Sequence, residues 1–273
     1  MISLRAKCNS IRKDVLRMLN HAGSGHSGGS LSAVELLVGI YYSQMKFNPE
    51  KMEDPKRDRF VLSKGHAAPV LYAILADLGV IDRSELFTLR QLHSNLQGHP
   101  DSKKVRGVEA STGSLGQGFS IAVGMAMAAK AQNNNIQVFS LLGDGELQEG
   151  LVWEACMAAS AYKLDNLTML VDYNGIQLDG FCEEVLSLGD LNAKFNAFGF
   201  HVINLPDGND IETVVEALAQ PKIPGKPTCI VAHTVKGKGV SFIENQVAWH
   251  GRVPNDNELA LAIKELQDAN YEK

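Results

Sequence analysis

Apolar positions along this 273-residue chain recur in two alternating periods. Residues 3–20 carry Ile11, Val15, Leu16 and Leu19 at helical spacing, which predicts a first helix. A Gly-rich stretch follows, His21-Ala-Gly-Ser-Gly-His-Ser-Gly-Gly29, and Ser30 or Ser32 is placed to cap a helix through Tyr42. Residues 59–63 predict a short strand, and Lys64-Gly-His66 leads into a helix ending near Gly79. Residues 90–112 read as irregular, punctuated by Gly98, Pro100 and Gly107. The Ala- and Gly-rich run 115–131 predicts a helix packed closely on a neighbour. Strand 137–142, helix 147–162 and strand 167–172 come next, then a turn over 174–180 and a helix at about 189–198. Strand 200–205, helix 210–219 and strand 228–233 continue the pattern; 236–252 reads as loop and 255–271 as a final helix.

Strands alternating with helices predict an α/β fold, a mainly parallel sheet with helices on both faces, here as a single domain over 1–273. Ligands of such sheets gather at the carboxyl ends of the strands. Ser63-Lys-Gly-His66, Gly143-Asp-Gly145, Asn174-Gly-Ile176 and His233-Thr234 all fall at such ends, so one shared site is expected.

Charge and composition narrow the partners. The formal charge of −5 leaves no basic excess to neutralise nucleic-acid phosphates, and Lys103, Lys104 and Arg106 read as a solvated loop. No apolar run has transmembrane length, which argues against a membrane. Arg5, Lys7, Arg12 and Lys13 flank no continuous apolar core of a signal peptide. The four cysteines show no metal spacing, and Cys156 and Cys229 fall inside predicted elements as buried free thiols. A reducing, cytoplasmic setting is the expectation.

The candidate chemistry begins at Gly143-Asp144-Gly145, with twenty-eight residues lying between Gly145 and Asn174. A carboxylate and an amide oxygen at the ends of neighbouring strands suit a hard cation, Mg²⁺ or Ca²⁺, that shares phosphate oxygens. The glycines admit a phosphate to the backbone, and a helix starting near Glu146 would offer it free N–H groups. The plain alternative is a strand-end turn followed by an unrelated Asn-Gly turn. His26, His66, His99 and His250 lie in or beside Gly-rich or Pro-containing loops, where an imidazole can exchange protons or hydrogen bonds with a ligand. Simple solvent exposure is the alternative for each, and it is kept for His21, His93 and His201. His233 sits at a strand end with no role assigned.

With its flank, Gly143-Asp-Gly-Glu-Leu-Gln-Glu-Gly150 and Trp153-Glu-Ala155, this fingerprint resembles that of thiamine diphosphate enzymes in the transketolase version. Further matching segments are Ser24-Gly-His26, Leu62-Ser-Lys-Gly-His66, Gly98-His-Pro100, Ser111-Thr-Gly-Ser-Leu-Gly-Gln-Gly118, Thr234-Val-Lys-Gly-Lys-Gly239 and Ala248-Trp-His-Gly251, so the resemblance covers nearly the whole chain. It implies the thiamine diphosphate-binding fold and transfer of a two-carbon ketol unit from a ketose phosphate to an aldose phosphate. It implies that His26, His66, His99 and His250 meet cofactor, sugar hydroxyls or intermediate. Gly113, Ser114 and Leu115 would line the cofactor site, with Ser114 where the family often has Pro. Asp144, Asn174 and the Ile176 carbonyl would hold Mg²⁺ or Ca²⁺. Gly143 and Gly145 would border the diphosphate, with the Gly145 N–H bound to it. Lys236 would lie near the cofactor, and Glu149 would be buried near a dimer axis.

The family's activating Glu, its pyrimidine-flanking aromatic residues and most of its phosphate-binding arginines have no counterpart here. A separate C-terminal chain is therefore the expected partner, in a two-plus-two assembly, unless the chain is cut at a domain boundary. The polar run 267–273 reads as a natural terminus and favours the split form. The helix around 119–131 and the Glu149 region are the expected interfaces. Alternatives are one half of a 2-oxo acid dehydrogenase, a related synthase, a Rossmann-type dehydrogenase and a non-catalytic cofactor-binding subunit. For the Rossmann type, Gly113-x-x-Gly116-x-Gly118 has the wrong order of glycines.

Overall fold

A computed structural model describes residues 3–268. Five strands, β1 (Arg59–Leu62), β2 (Val138–Gly143), β3 (Leu167–Tyr173), β4 (His201–Leu205) and β5 (Thr228–His233), form one sheet in the order β1-β2-β3-β5-β4. Every pairing is parallel. The helices are α1 (Leu4–Ala22), α2 (Ser27–Leu31), α3 (Val34–Gly39), α4 (Ala68–Asp77), α5 (Gln117–Ala131), α6 (Gly150–Ala161), α7 (Cys182–Leu186), α8 (Leu191–Ala197), α9 (Ile211–Ala219) and α10 (Asp256–Asp268).

The strands are apolar almost throughout because both faces are covered. Successive side chains point to opposite faces, and they feed two separate cores. Phe60, Leu62, Phe139, Leu141, Leu170 and Ile230 pack with α1, α3, α4 and α9. Val61, Val138, Leu142, Met169, Val171 and Val231 pack with α5, α6 and α8. Each such side chain contributes about 1.5–3 kcal/mol of burial free energy. The sheet is therefore pinned from both sides, and the loops at its carboxyl edge are left to form a site.

Four local expectations are corrected. The Gly-rich stretch is loop only through His26; residues 27–31 are α2, buried, and the helix expected through Tyr42 breaks into α2, α3 and a wide turn at Ile40–Gln44. Its glycines serve close packing: a Cβ at Gly28 would lie 2.9 Å from Lys236 Cγ and 3.0 Å from the Trp249 carbonyl. The helix expected to start near Glu146 starts at Gly150, after a tight turn at Gly145–Gln148. That turn is held because the Glu146 side chain folds back onto backbone N–H groups rather than facing solvent. Helix α7 lies just past the predicted turn; five residues are too few to show a period. The last turn of the predicted final helix, beyond residue 268, lies outside the described residues. All four cysteines are buried and unpaired, including Cys8 and Cys182.

Candidate active site

The end of β1 is tied to its neighbours by one buried carboxylate. Ser63 Oγ donates to Glu146 Oε1 at 2.5 Å, the Gly116 N–H donates to the same oxygen at 2.8 Å, and the Gly143 N–H donates to Oε2 at 3.1 Å. Burial pushes the Glu146 carboxyl up, while Ser63 and the two N–H groups oppose that shift. Glu146 thus clamps the ends of β1 and β2 and the loop before α5 at fixed spacing.

A second buried network lies beside it. Lys64 Nζ donates to Asp172 Oδ2 at 2.5 Å and to the Gly29 carbonyl at 3.1 Å. Ser32 Oγ also donates to Asp172 Oδ2, at 2.7 Å, and Thr234 Oγ1 donates to Oδ1. These contacts join β1, α2, β3 and the segment after β5. Removing one partner of such an ion pair would strand a buried charge, which typically costs about 3–5 kcal/mol.

Above these networks the strand ends open into a cleft of about 370 Å³. It is lined by His26, His66, His99, Gly113, Leu115, Gly143, Asp144, Gly145, Glu149, Asn174, Ile176, Lys236 and His250. Three of the four strand ends expected to share a site therefore converge here, and His233-Thr234 does not line it. Ser114 is exposed outside the lining. Glu149 lines the cleft but is exposed on this chain, not buried as expected. His233 is turned away and pairs with Asn204 at 3.0 Å.

Asp144 is 3 % exposed and makes no ion pair among the described residues. Burial raises its pKa, and Asp172 nearby adds to the rise. Its Oδ1 accepts from Gly145 N at 2.7 Å and its Oδ2 from Gly175 N at 2.5 Å. The Gly145 N–H expected to meet a phosphate is thus engaged by Asp144 here. Asn174 Oδ1 accepts from Ile176 N at 3.2 Å, and the Ile176 carbonyl accepts from Lys236 Nζ at 2.8 Å. A carboxylate, an amide oxygen and a peptide oxygen at neighbouring strand ends form a donor set for a hard cation. The buried, unpaired charge of Asp144 is what such a cation would neutralise. No group of three His, Cys, Asp or Glu among the described residues is arranged to hold a metal.

Three imidazoles pack together beside this set, joined to it by Lys236, whose Nζ reaches both the Ile176 carbonyl and His250 Nδ1. The His26 ring lies 5.3 Å from His66 and 5.4 Å from His250, and His66 stacks on His250 at 5.4 Å. Burial, reinforced by surrounding cations, holds all of them neutral. His26 is lowered to about 4 by burial and then Arg90; His250 is lowered to about 3 by burial and then Lys236. His66 falls well below its ordinary value through burial and then Lys64. Lys236, itself lowered to about 8 by burial and then Lys64, donates to His250 Nδ1 at 2.8 Å. His99 is lowered by burial and Arg90, and its ring packs on Gly113, whose φ of +149 and 2.9 Å clearance allow no side chain.

Family and structural comparisons identify the fold and the class. A family profile described as transketolase, thiamine diphosphate binding domain, matches residues 4–271. The chain belongs to the transketolase family. It is 42% identical over 266 residues to an apulose-4-phosphate transketolase subunit from Actinobacillus succinogenes, covering 97% of this chain and 96% of that one. It is also 42% identical to the 6-deoxy-6-sulfo-D-fructose transketolase subunit SqwG of a Clostridium species, covering 97% of both. Among solved structures, the transketolase of Campylobacter jejuni superposes with a TM-score of 0.90 at 37% identity over 97% of this chain. The chain spans 42% of that longer protein's length. The transketolase fold and enzyme class expected from the motifs are borne out, and the Rossmann-type dehydrogenase falls away.

Sequence reasoning missed Arg90, Glu146 and Asp172 and gave Lys64 no role. Lys64 lies inside the Ser-Lys-Gly-His motif, and Glu146 directly follows Gly-Asp-Gly, so adjacency to motif residues was the available signal. Arg90 carries none, because it lies in a segment with no pattern.

Proposed function

We propose that this chain is one domain, the diphosphate-binding subunit of a split transketolase. It acts with a separate C-terminal chain, in a two-plus-two assembly, on a ketose phosphate donor and an aldose phosphate acceptor. The observation that carries the split is the match, over nearly the full length of both chains, to relatives that are themselves named as subunits. Those two relatives are equally similar and are named for different ketoses, so similarity alone leaves the donor open within that class. Four buried unpaired thiols support a reducing, cytoplasmic setting.

Thiamine diphosphate would supply the electron sink that lets the bond beside a ketose carbonyl break and re-form. Asp144, Asn174 and the Ile176 carbonyl would hold Mg²⁺, or Ca²⁺, against its diphosphate. Gly113 and Leu115 would admit and pack the rings, with Ser114 at the rim. Gly143 and Gly145 would border the phosphates, and Lys236 would add a positive charge beside them. His26, His66, His99 and His250, kept neutral by burial, can each donate or accept one hydrogen bond at a sugar hydroxyl without introducing a charge. Glu149 would become buried where two copies meet.

The test mixes this chain with its C-terminal counterpart, thiamine diphosphate and Mg²⁺, and assays two-carbon transfer from a panel of ketose phosphates. Turnover is expected only in the mixture. Asp144→Ala should abolish it and weaken cofactor binding by at least about 100-fold in calorimetry, since it removes the one charged ligand. Turnover by this chain alone, or full cofactor affinity in Asp144→Ala, would sink the reading.

A further inference from the structure

We propose that Arg90 is a positioning residue for His26: its guanidinium holds the His26 ring in the tautomer that carries its proton on Nε2. The ring then enters the cleft as a fixed hydrogen-bond donor. What that donor meets rests on the transketolase reading; the tautomer itself does not.

The argument starts from what a guanidinium can do. It has five N–H donors and no acceptor. Arg90 Nη2 lies 3.5 Å from His26 Nδ1. A guanidinium can only donate, so this contact is a hydrogen bond when Nδ1 accepts, and a neutral imidazole with Nδ1 as acceptor bears its proton on Nε2. Burial and the adjacent cations keep the ring neutral. The charged and titratable groups facing it are Arg90, His99, Lys236 and Lys64, with the His66 and His250 rings against its sides.

Three further observations show that the head group is placed rather than incidental. Arg90 adopts a left-handed backbone, φ +61, fixed by its N–H donating to the Leu96 carbonyl at 2.8 Å. A non-glycine residue there is uncommon, and sparsely populated conformations of this kind cost of order 1–3 kcal/mol. Gly98, in the Gly-His-Pro segment, leaves the space the guanidinium fills: a Cβ there would lie 2.7 Å from Nη2 and 2.8 Å from Cζ and Nε. Finally, Arg90 Nε is buried without a hydrogen-bond partner. Arg90 therefore sits between the loops that carry His26 and His99. Its charge acts on both rings, lowering each.

The deciding experiment is nitrogen-15 NMR on histidine-labelled full-length chain at neutral pH without cofactor, with His26 assigned by loss of its signals in His26→Gln. Wild type should show a pyridine-like Nδ1 and a pyrrole-like Nε2 at His26. Arg90→Lys, which keeps a donor-only cation, should keep that pattern. Arg90→Met should move both shifts toward a mixture of tautomers. A wild-type ring protonated on Nδ1, or an unchanged pattern in Arg90→Met, would overturn the proposal. If Arg90→Met does not fold, Arg90→Gln, whose amide can either donate or accept, is measured in its place, and an unchanged wild-type pattern there overturns the proposal. In the assembled enzyme, Arg90→Met should raise the ketose KM about 10-fold and change kcat less than about 3-fold, with recovery in Arg90→Lys. Failure of every mixture to turn over would remove the transketolase reading and leave the tautomer result standing.

Discussion

At the residue scale, the site is built around side chains whose charge state is set by burial. Burial lowers the His26 pKa to about 4 and the His250 pKa to about 3 in the folded chain, against an ordinary value of 6.5. Between pH 6.5 and 4 the unfolded chain binds protons that the folded chain refuses, so these rings contribute stability that is fully present above about 6.5 and is lost as pH falls. Urea midpoints should therefore drop between pH 7 and 5, and the slope of stability against pH should be shallower in His26→Gln by up to about one proton. An identical slope in the two proteins would show that His26 titrates normally. The four motif histidines were legible in the sequence because each sits beside Gly or Pro in a recognisable segment. The groups that hold them neutral were not. Arg90 lies 64 positions from His26 and in no motif, and nothing in its local sequence records that pairing.

Elements meet at this site through missing side chains as much as through present ones. Helix α5 starts against the end of β1, where a Cβ at Gly118 would lie 2.6 Å from Ser63 Cα and 2.9 Å from Ser63 Oγ. The Phe119 N–H, at the next position, donates to that same Oγ at 2.9 Å. Gly118→Ala must push the helix off the strand and disturb the Glu146 clamp, so a loss of about 1–3 kcal/mol is expected in urea unfolding. No change would mean that the loop absorbs the methyl group. The sequence predicted α5 and its close packing from Ala and Gly content, but not which glycine is the contact. It also placed the start of α6 several residues early, because Glu146 reads as a helix-start residue until its three buried hydrogen bonds are seen.

For the molecule as a whole, one face of α5 is left uncovered among the described residues. On α5, Ile121 and Gly124 are exposed, and a Cβ at Gly124 would meet nothing within 4 Å. Replacing Gly in a helix interior recovers about 1 kcal/mol of helix propensity. Gly124→Leu should therefore hold or raise the melting temperature of the chain alone while weakening its assembly with the C-terminal chain, as read by sedimentation velocity. Intact assembly in this variant would move the interface elsewhere. The alternation of apolar strands with helices determined the parallel sheet by itself, since both periods are local properties of the chain. The strand-end rule likewise put His66, Asp144 and Asn174 on one edge, while His26, His99 and His250 joined them only through their loop motifs and the resemblance. Only the tertiary structure decided how they are held. The cations and carboxylates that tune them arrive from distant segments, as Lys64 does at Asp172 and Arg90 at His26. Such pairings follow from how layers stack in three dimensions, and no local pattern in a linear sequence encodes them.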